Sequence, residues 1–228
     1  MKLSAMVSGG KDSLYSLYYY HLLGHEIENI IKVKSKNKYS WMFHSAKIDF
    51  VDIHSKLLGI PKIVINTKGE KEKELIQLKN GLKKIKENFN IDGIIVGAID
   101  SDYQRMRIAR ICEEINLRVF TPLWRKDYKQ YNKILIDSGF KYTLSKVMCD
   151  GIDKKWIGTE INKTNYKELE KELIKNKVNV VYEGGEAETL VLDMPLFKKK
   201  INLIDYKVKK VDDYDWDLII NKYELCEK

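Results

Sequence analysis

Short apolar runs alternate with longer amphipathic stretches through the first half of this chain. Leu3–Val7, Ile27–Val33, Lys62–Ile65, Gly93–Val96 and Arg118–Phe120 have the length of strands. Between them, Asp12–Leu23, His44–Leu58, Glu70–Asn88 and Asp102–Asn116 read as helices. In the last of these, Ile108, Ile111, Cys112 and Ile115 recur at i, i+3, i+4 and i+7. Strand alternating with helix predicts an α/β domain: a parallel sheet with helices on both faces. Such sheets take their ligands beyond the carboxyl ends of the strands. Ser8, the 40–44 stretch, Asn66-Thr67 and Gly97–Arg105 all follow strands, so they belong to that edge.

The pattern changes after Thr121-Pro122. Asp127–Ser138 reads as a helix closed by Gly139, and Tyr166–Asn176 as another. Lys141–Met148, Val178–Tyr182, Leu190–Asp193, Ile201–Lys210 and Leu218–Leu225 read as strands. These elements predict a smaller, mixed α/β second domain, with residues 1–122 in the first and 123–228 in the second. No internal repeat or low-complexity linker separates them.

Composition narrows the picture. The chain has 228 residues and a formal net charge of +8, mostly from lysine. A basic surface suits RNA or an acidic protein partner, although solvated lysine helices account for most of it. The apolar stretches are too short to cross a membrane, and a start directly on the first strand gives the expectation of no leader. Cys112, Cys149 and Cys226 are isolated and odd in number. They point to a reducing cytoplasm, with no disulfide framework and no structural zinc. All five arginines lie between Arg105 and Arg125, in a stretch with no lysine. Arginine offers a planar fork for phosphate or carboxylate that lysine lacks, so this stretch is a candidate site.

The chemistry is densest at Ser8-Gly9-Gly10-Lys11-Asp12-Ser13, between the first strand and the first helix. There, backbone N–H groups and the positive end of the helix dipole form an anion site. Adjacent glycines admit a phosphate to the backbone, and Lys11 adds charge. Asp12 is out of place in a phosphate cradle unless a divalent cation rides on the phosphates, which makes it the candidate metal ligand. The spacing is neither a Walker loop nor a dinucleotide fingerprint. A plain capped glycine turn is the bland alternative, but a cap does not need Gly-Gly-Lys. The motif resembles the PP-loop of ATP pyrophosphatases, which cleave ATP between the α- and β-phosphates.

Three further signals follow. Gly97-Ala98-Ile99-Asp100-Ser101-Asp102-Tyr103-Gln104-Arg105 runs from a strand end into a helix. Stepping back along its apolar stripe sets Gln104 and Arg105 inward over the sheet edge, while Arg107 and Arg110 lie off the stripe and Arg110 can pair with Glu114. Glu183-Gly184-Gly185-Glu186-Ala187-Glu188-Thr189 is an acidic glycine loop that could hold a cation, orient an amine or act as a base. An acidic turn between strands is its bland alternative. Ser40-Trp41-Met42-Phe43-His44 precedes a helix, and His44 could touch a phosphate.

These motifs, in this order and with Pro122-Leu123-Trp124, resemble the diphthine–ammonia ligase family over Met1 to about Lys199. The resemblance implies an N-terminal PP-loop ATPase domain of the Rossmann-like class and a smaller C-terminal domain. It implies amidation of diphthine, a modified histidine of translation elongation factor 2, with ATP, Mg²⁺ and ammonium. Residues and resemblance together assign Lys11, Asp12, Arg105 and Glu186 to catalysis. Ser8, Gly9, Gly10, Lys11, Asp12, Ser13, Gly97 and Ser101 are assigned to ATP, and Asp12 to the metal. Tyr103, Gln104, Glu183, Gly184, Gly185, Glu188 and Thr189 are assigned to the substrate. Ala187 stands where the family usually carries an aromatic residue. The length resembles the compact archaeal form and leaves no room for a glutaminase domain, in agreement with free ammonium as donor. The rival readings are a PP-loop enzyme acting on tRNA and a nucleotide-binding regulator without catalysis.

Overall fold

The structure is a computed structural model described over residues 1–37, 42 and 47–228. It forms two compact units, Met1–Arg125 and Lys126–Lys228.

In the first unit, strands β1 (Lys2–Met6), β2 (Glu26–Ser35), β3 (Lys62–Thr67), β4 (Gly93–Ile95) and β5 (Arg118–Phe120) pair in parallel, in the order β3-β2-β1-β4-β5. Helices α1 (Lys11–Leu22), α2 (Val51–Leu58), α3 (Lys73–Phe89) and α4 (Asp102–Glu114) connect them. Successive residues of β2 point to opposite faces. Ile31 and Val33 pack with Leu78 and Leu82 of α3 and Ile108, Ile111 and Cys112 of α4. Lys32 points the other way, and its Nζ donates to Asp49 Oδ1 at 3.0 Å and to Asp52 Oδ1 of α2 at 2.9 Å. The sheet is therefore covered on both faces, which explains why its strands read as continuous apolar runs. Each fully buried Leu or Ile of this core contributes about 1.5–3 kcal/mol by leaving water.

Two boundaries moved for local reasons. The helix expected from Glu70 starts at Lys73, because Glu72 sits at a φ of 64° that no helix continues through. The helix expected from His44 is seen as a 3₁₀ turn, Ile48–Phe50, followed by α2, and its first residues lie outside the described ones.

The second unit is built on an antiparallel sheet of β6 (Lys141–Val147), β7 (Ala187–Asp193), β8 (Lys200–Asp212) and β9 (Asp215–Cys226), in the order β7-β6-β9-β8. Helices α5 (Tyr128–Asp137) and α6 (Tyr166–Lys175) bury Tyr131, Leu135, Tyr166, Leu169 and Leu173. The strand expected over Val178–Tyr182 does not form. Asn179 makes a local turn instead: its Oδ1 accepts from Val181 N at 2.9 Å and its carbonyl from Tyr182 N at 3.0 Å. The buried Asn132 of α5 donates from Nδ2 to the Val180 carbonyl at 2.8 Å. Val181 and Tyr182 are apolar because they are buried, and side-chain amides serve backbone groups that a sheet would have paired.

Candidate active site

The strand order reverses between β1 and β4, so the crevice beyond their carboxyl ends is the topological switch point of this sheet. The 8–13 loop leaves β1 at that point. Gly9 has a φ of +91°, a conformation that side chains disfavour. Ser8 and Ser13 brace the turn: Ser8 N donates to Ser13 Oγ at 3.2 Å, Gly10 N donates to Ser8 Oγ at 3.3 Å, and Ser13 Oγ donates to the Gly10 carbonyl at 3.0 Å. The N-cap of α1 is Gly10, and no side chain caps it. The same holds for α2, α3 and α6, whereas in α4 and α5 Ser101 and Asp127 accept from backbone N–H groups. The first turn of α1 thus sets a helix dipole end at the crevice, which favours a phosphate group.

Lys11 is buried under this turn at 1 % exposure, and its Nζ meets Asp12 Oδ1 and Oδ2 at 2.8 and 3.0 Å. The two charges assigned to phosphate and metal are therefore each other's partners here. Among the described residues, no three His, Cys, Asp or Glu side chains gather as a metal cage. One or two carboxylates suffice where a cation is carried by substrate phosphates, and Asp12 fits that need.

Gly97, just beyond β4, closes the crevice from the other side. A Cβ on Gly97 would lie 2.7 Å from Ser13 N and 2.8 Å from Asp12 C, so only glycine lets the β4 loop meet the start of α1. Ser101 caps α4, accepting from Gln104 N at 3.4 Å. Gln104 Nε2 donates to the Met42 carbonyl at 3.5 Å. Arg105 lies over the indole of Trp124, 4.3 Å from its centroid, and its Nη2 donates to Asp102 Oδ1 at 3.1 Å. Arg107 turns away to Glu72, which accepts from Nε at 3.0 Å and Nη2 at 2.6 Å, and it covers the Tyr103 ring at 3.6 Å. Arg110 pairs with Glu114 on the surface.

Trp124 and Arg125 had no assigned role in the sequence reading. The turn after β5 brings them to the same edge, and Arg125 N donates to the Ile99 carbonyl at 2.9 Å. The arginine-rich stretch was the available signal, but the loop's course could not be read from helical periodicity.

The acidic loop belongs to the second unit. Glu186 folds back over Gly184, and its backbone carbonyl accepts from Met148 N at 2.7 Å. Its Oε2 is buried with no hydrogen-bond partner among the described residues. Glu188 and Thr189 lie in β7, opposite Lys146 and Leu144. Burial, with the negative charges of Glu186 and Asp150, raises the Cys149 thiol above its ordinary range, and burial pushes Cys112 up to about 12. Neither is a ready thiolate nucleophile at neutral pH. No described helix is long and apolar enough to cross a membrane. Of the 40–44 stretch only Met42 is described, in the first core; Ser40, Trp41, Phe43 and His44 lie outside the described residues.

Comparison with known proteins adds the following. A family model described as diphthamide synthase N-terminal domain matches residues 1–119, and one described as diphthamide synthase C-terminal domain matches residues 127–225. The human diphthine–ammonia ligase is 31% identical over 88% of this chain and 82% of its own length. The Schizosaccharomyces pombe protein of that name is 30% identical, covering all of this chain but 40% of its own length. A solved structure titled as a predicted subunit of tRNA methyltransferase from Methanocaldococcus jannaschii aligns with a TM-score of 0.46 at 16% identity, over 86% of this chain and 98% of that one. That likeness is too loose to carry an argument.

Proposed function

We propose, from the premise that this chain belongs to the diphthamide synthase family, that it is an ATP-dependent ligase that amidates diphthine with ammonium. The acceptor is the diphthine form of translation elongation factor 2, and the reaction is cytoplasmic. The first unit, Met1–Arg125, serves ATP, and the second, Lys126–Lys228, serves the acceptor and the amine.

The observation that carries this reading is the uncapped first turn of α1 at the switch point of the sheet, with Gly97 pressed against it. Backbone N–H groups of the 9–13 turn bind phosphate oxygens, and Ser8 and Ser13 hold that turn in shape. An arriving phosphate chain competes with Asp12 for Lys11, and Asp12 would then be the residue to hold a Mg²⁺ carried by the phosphates. Asp12 would hold the Mg²⁺, which would supply charge neutralisation for the leaving pyrophosphate. The acceptor carboxylate attacks the α-phosphorus, the α–β bridge breaks, and an acyl-adenylate and pyrophosphate form. Lys11 and Arg105 stabilise negative charge as it develops. Ammonia then adds to the acyl carbon, and AMP departs with the bonding electrons. The buried, unpartnered Oε2 of Glu186 suits an N–H donor, so the 183–189 loop holds ammonium and takes its proton.

The test is release of AMP and pyrophosphate with diphthine-bearing elongation factor and ammonium, run beside the same assay with tRNA. The proposal expects release with the factor alone. Release with tRNA alone would replace it with the RNA reading, and release with neither would remove the enzyme.

A further inference from the structure

We infer that Arg125, together with Arg105 and the indole of Trp124, forms an oxyanion subsite at the β5 end of this edge. The inference rests on the ligase reading for the source of the anion, but its geometry stands on the first unit alone. Both guanidiniums lie over one indole, with centroid distances of 4.3 Å for Arg105 and 5.4 Å for Arg125. Both also converge on one carboxylate. Arg105 Nη2 is 3.1 Å from Asp102 Oδ1, and Arg125 Nη2 is 3.6 Å from Asp102 Oδ2. Arg125 Nε lies 3.8 Å from Asp100 Oδ1.

Two features show that this is more than a surface ion-pair network. Arg105 and Arg107 share a helix, yet their forks differ. Glu72 fills the Nε and Nη2 edge of Arg107, whereas Arg105 Nε is buried and has no hydrogen-bond partner among the described residues. A buried donor without an acceptor is costly, and it points to an acceptor that arrives with a ligand. Second, Arg125 holds a φ of +51°, uncommon for a residue with a side chain. Strained backbone of this kind gathers at ligand clamps. Here the Arg125 N–H bond to the Ile99 carbonyl fixes it, tying the β5 turn to the β4 loop.

Stacking on an indole holds a guanidinium flat while its N–H edge stays open for a planar or tetrahedral oxyanion. The ligand class is therefore a phosphate group or a carboxylate. It has two sources in the proposed reaction: the pyrophosphate end of the nucleotide and the carboxylate of the acceptor. Asp102 holds the two arginines ready, and the incoming oxyanion takes over part of their hydrogen bonding.

The experiment compares wild type with Arg125→Asn and Arg125→Lys. Asparagine tolerates the left-handed backbone, so the fold is kept, and lysine keeps the charge but loses the fork. Inorganic pyrophosphate and AMP are titrated calorimetrically, and KM for the diphthine-bearing acceptor is measured at saturating ATP. If the anion is pyrophosphate, Arg125→Asn weakens its binding about tenfold, leaves AMP unchanged, and Arg125→Lys recovers only part of the loss. If it is the acceptor carboxylate, KM for the acceptor rises about tenfold in Arg125→Asn while pyrophosphate binding holds. Either outcome supports the subsite and names its source. Pyrophosphate affinity and acceptor KM both within twofold of wild type in Arg125→Asn would overturn it. A wild-type protein that binds pyrophosphate but turns nothing over would instead count against the ligase reading.

Discussion

At the scale of single residues, Asp12 and Arg105 carry the sharpest expectations. Asp12 is held by Lys11 at 2.8 Å and sits in a turn otherwise built to attract anions. Asp12→Ala takes this carboxylate from the buried Lys11 ammonium, so it lowers the melting temperature as well as pyrophosphate release, the latter on the order of a hundredfold or more at a temperature where the variant is folded. Turnover near wild type in a pyrophosphate assay would remove Asp12 from the metal. Arg105→Lys impairs amidation at saturating ATP far more than Arg107→Lys, because lysine cannot stack flat on Trp124 and present a fork. Arg107 is as half-buried as Arg105, but Glu72 takes its fork, so its replacement shows mainly as a small loss in melting temperature. Equal defects in the two variants would assign the site to the wrong face of α4.

Among the elements, the junctions do the positioning. Gly9 and Gly97 are both glycine for different reasons. Gly9 needs its positive φ, with ordinary contact to His54 at 3.4 Å where a Cβ would be. Gly97 needs the space, because its neighbours on that side are backbone atoms of Asp12 and Ser13. Gly97→Ala therefore pushes α1 off the β4 loop, costing about 1–3 kcal/mol by overpacking, and it weakens nucleotide binding in the same step. Thermal unfolding and a nucleotide titration read both, and an unchanged pair would show that the crevice is not closed by this contact. In the second unit, Glu186→Gln keeps size and hydrogen bonding but removes charge. It leaves adenylation intact and lowers amide formation at low ammonium, with recovery at high ammonium. A defect in adenylation would move the loop to the ATP step, and full amidation at low ammonium would make it a structural turn.

These elements also show what the sequence alone could reveal. The sheet, its helices and the 8–13 loop were legible because period and glycine spacing are local properties. Arg107 and Arg110 were separable from Arg105 by helical phase. The Val178–Tyr182 segment was misread because burial makes a turn as apolar as a strand, and the decisive bonds come from Asn179 and from Asn132, 48 residues away in sequence from Val180. Trp124 and Arg125 stayed without a role because their meeting with Arg105 depends on how one loop follows β5, which no periodicity encodes. The burial of Lys11 against Asp12 was equally invisible, since adjacent opposite charges usually part into solvent.

For the whole molecule, the account assigns one overall reaction to two compact units. The first carries the crevice at the switch point, to which the proposal assigns the phosphates, and the second carries a carboxylate loop. The central claim is that the acceptor carboxylate is activated by transfer of an adenylyl group and is then attacked by ammonia formed from ammonium. The most direct measurement labels that carboxylate with oxygen-18 and follows the label by mass spectrometry, with diphthine-bearing elongation factor, ATP and ammonium. The account predicts AMP carrying one labelled oxygen from the carboxylate for each amide formed. Unlabelled AMP with label in pyrophosphate or in inorganic phosphate, or amide formed without AMP, would contradict it.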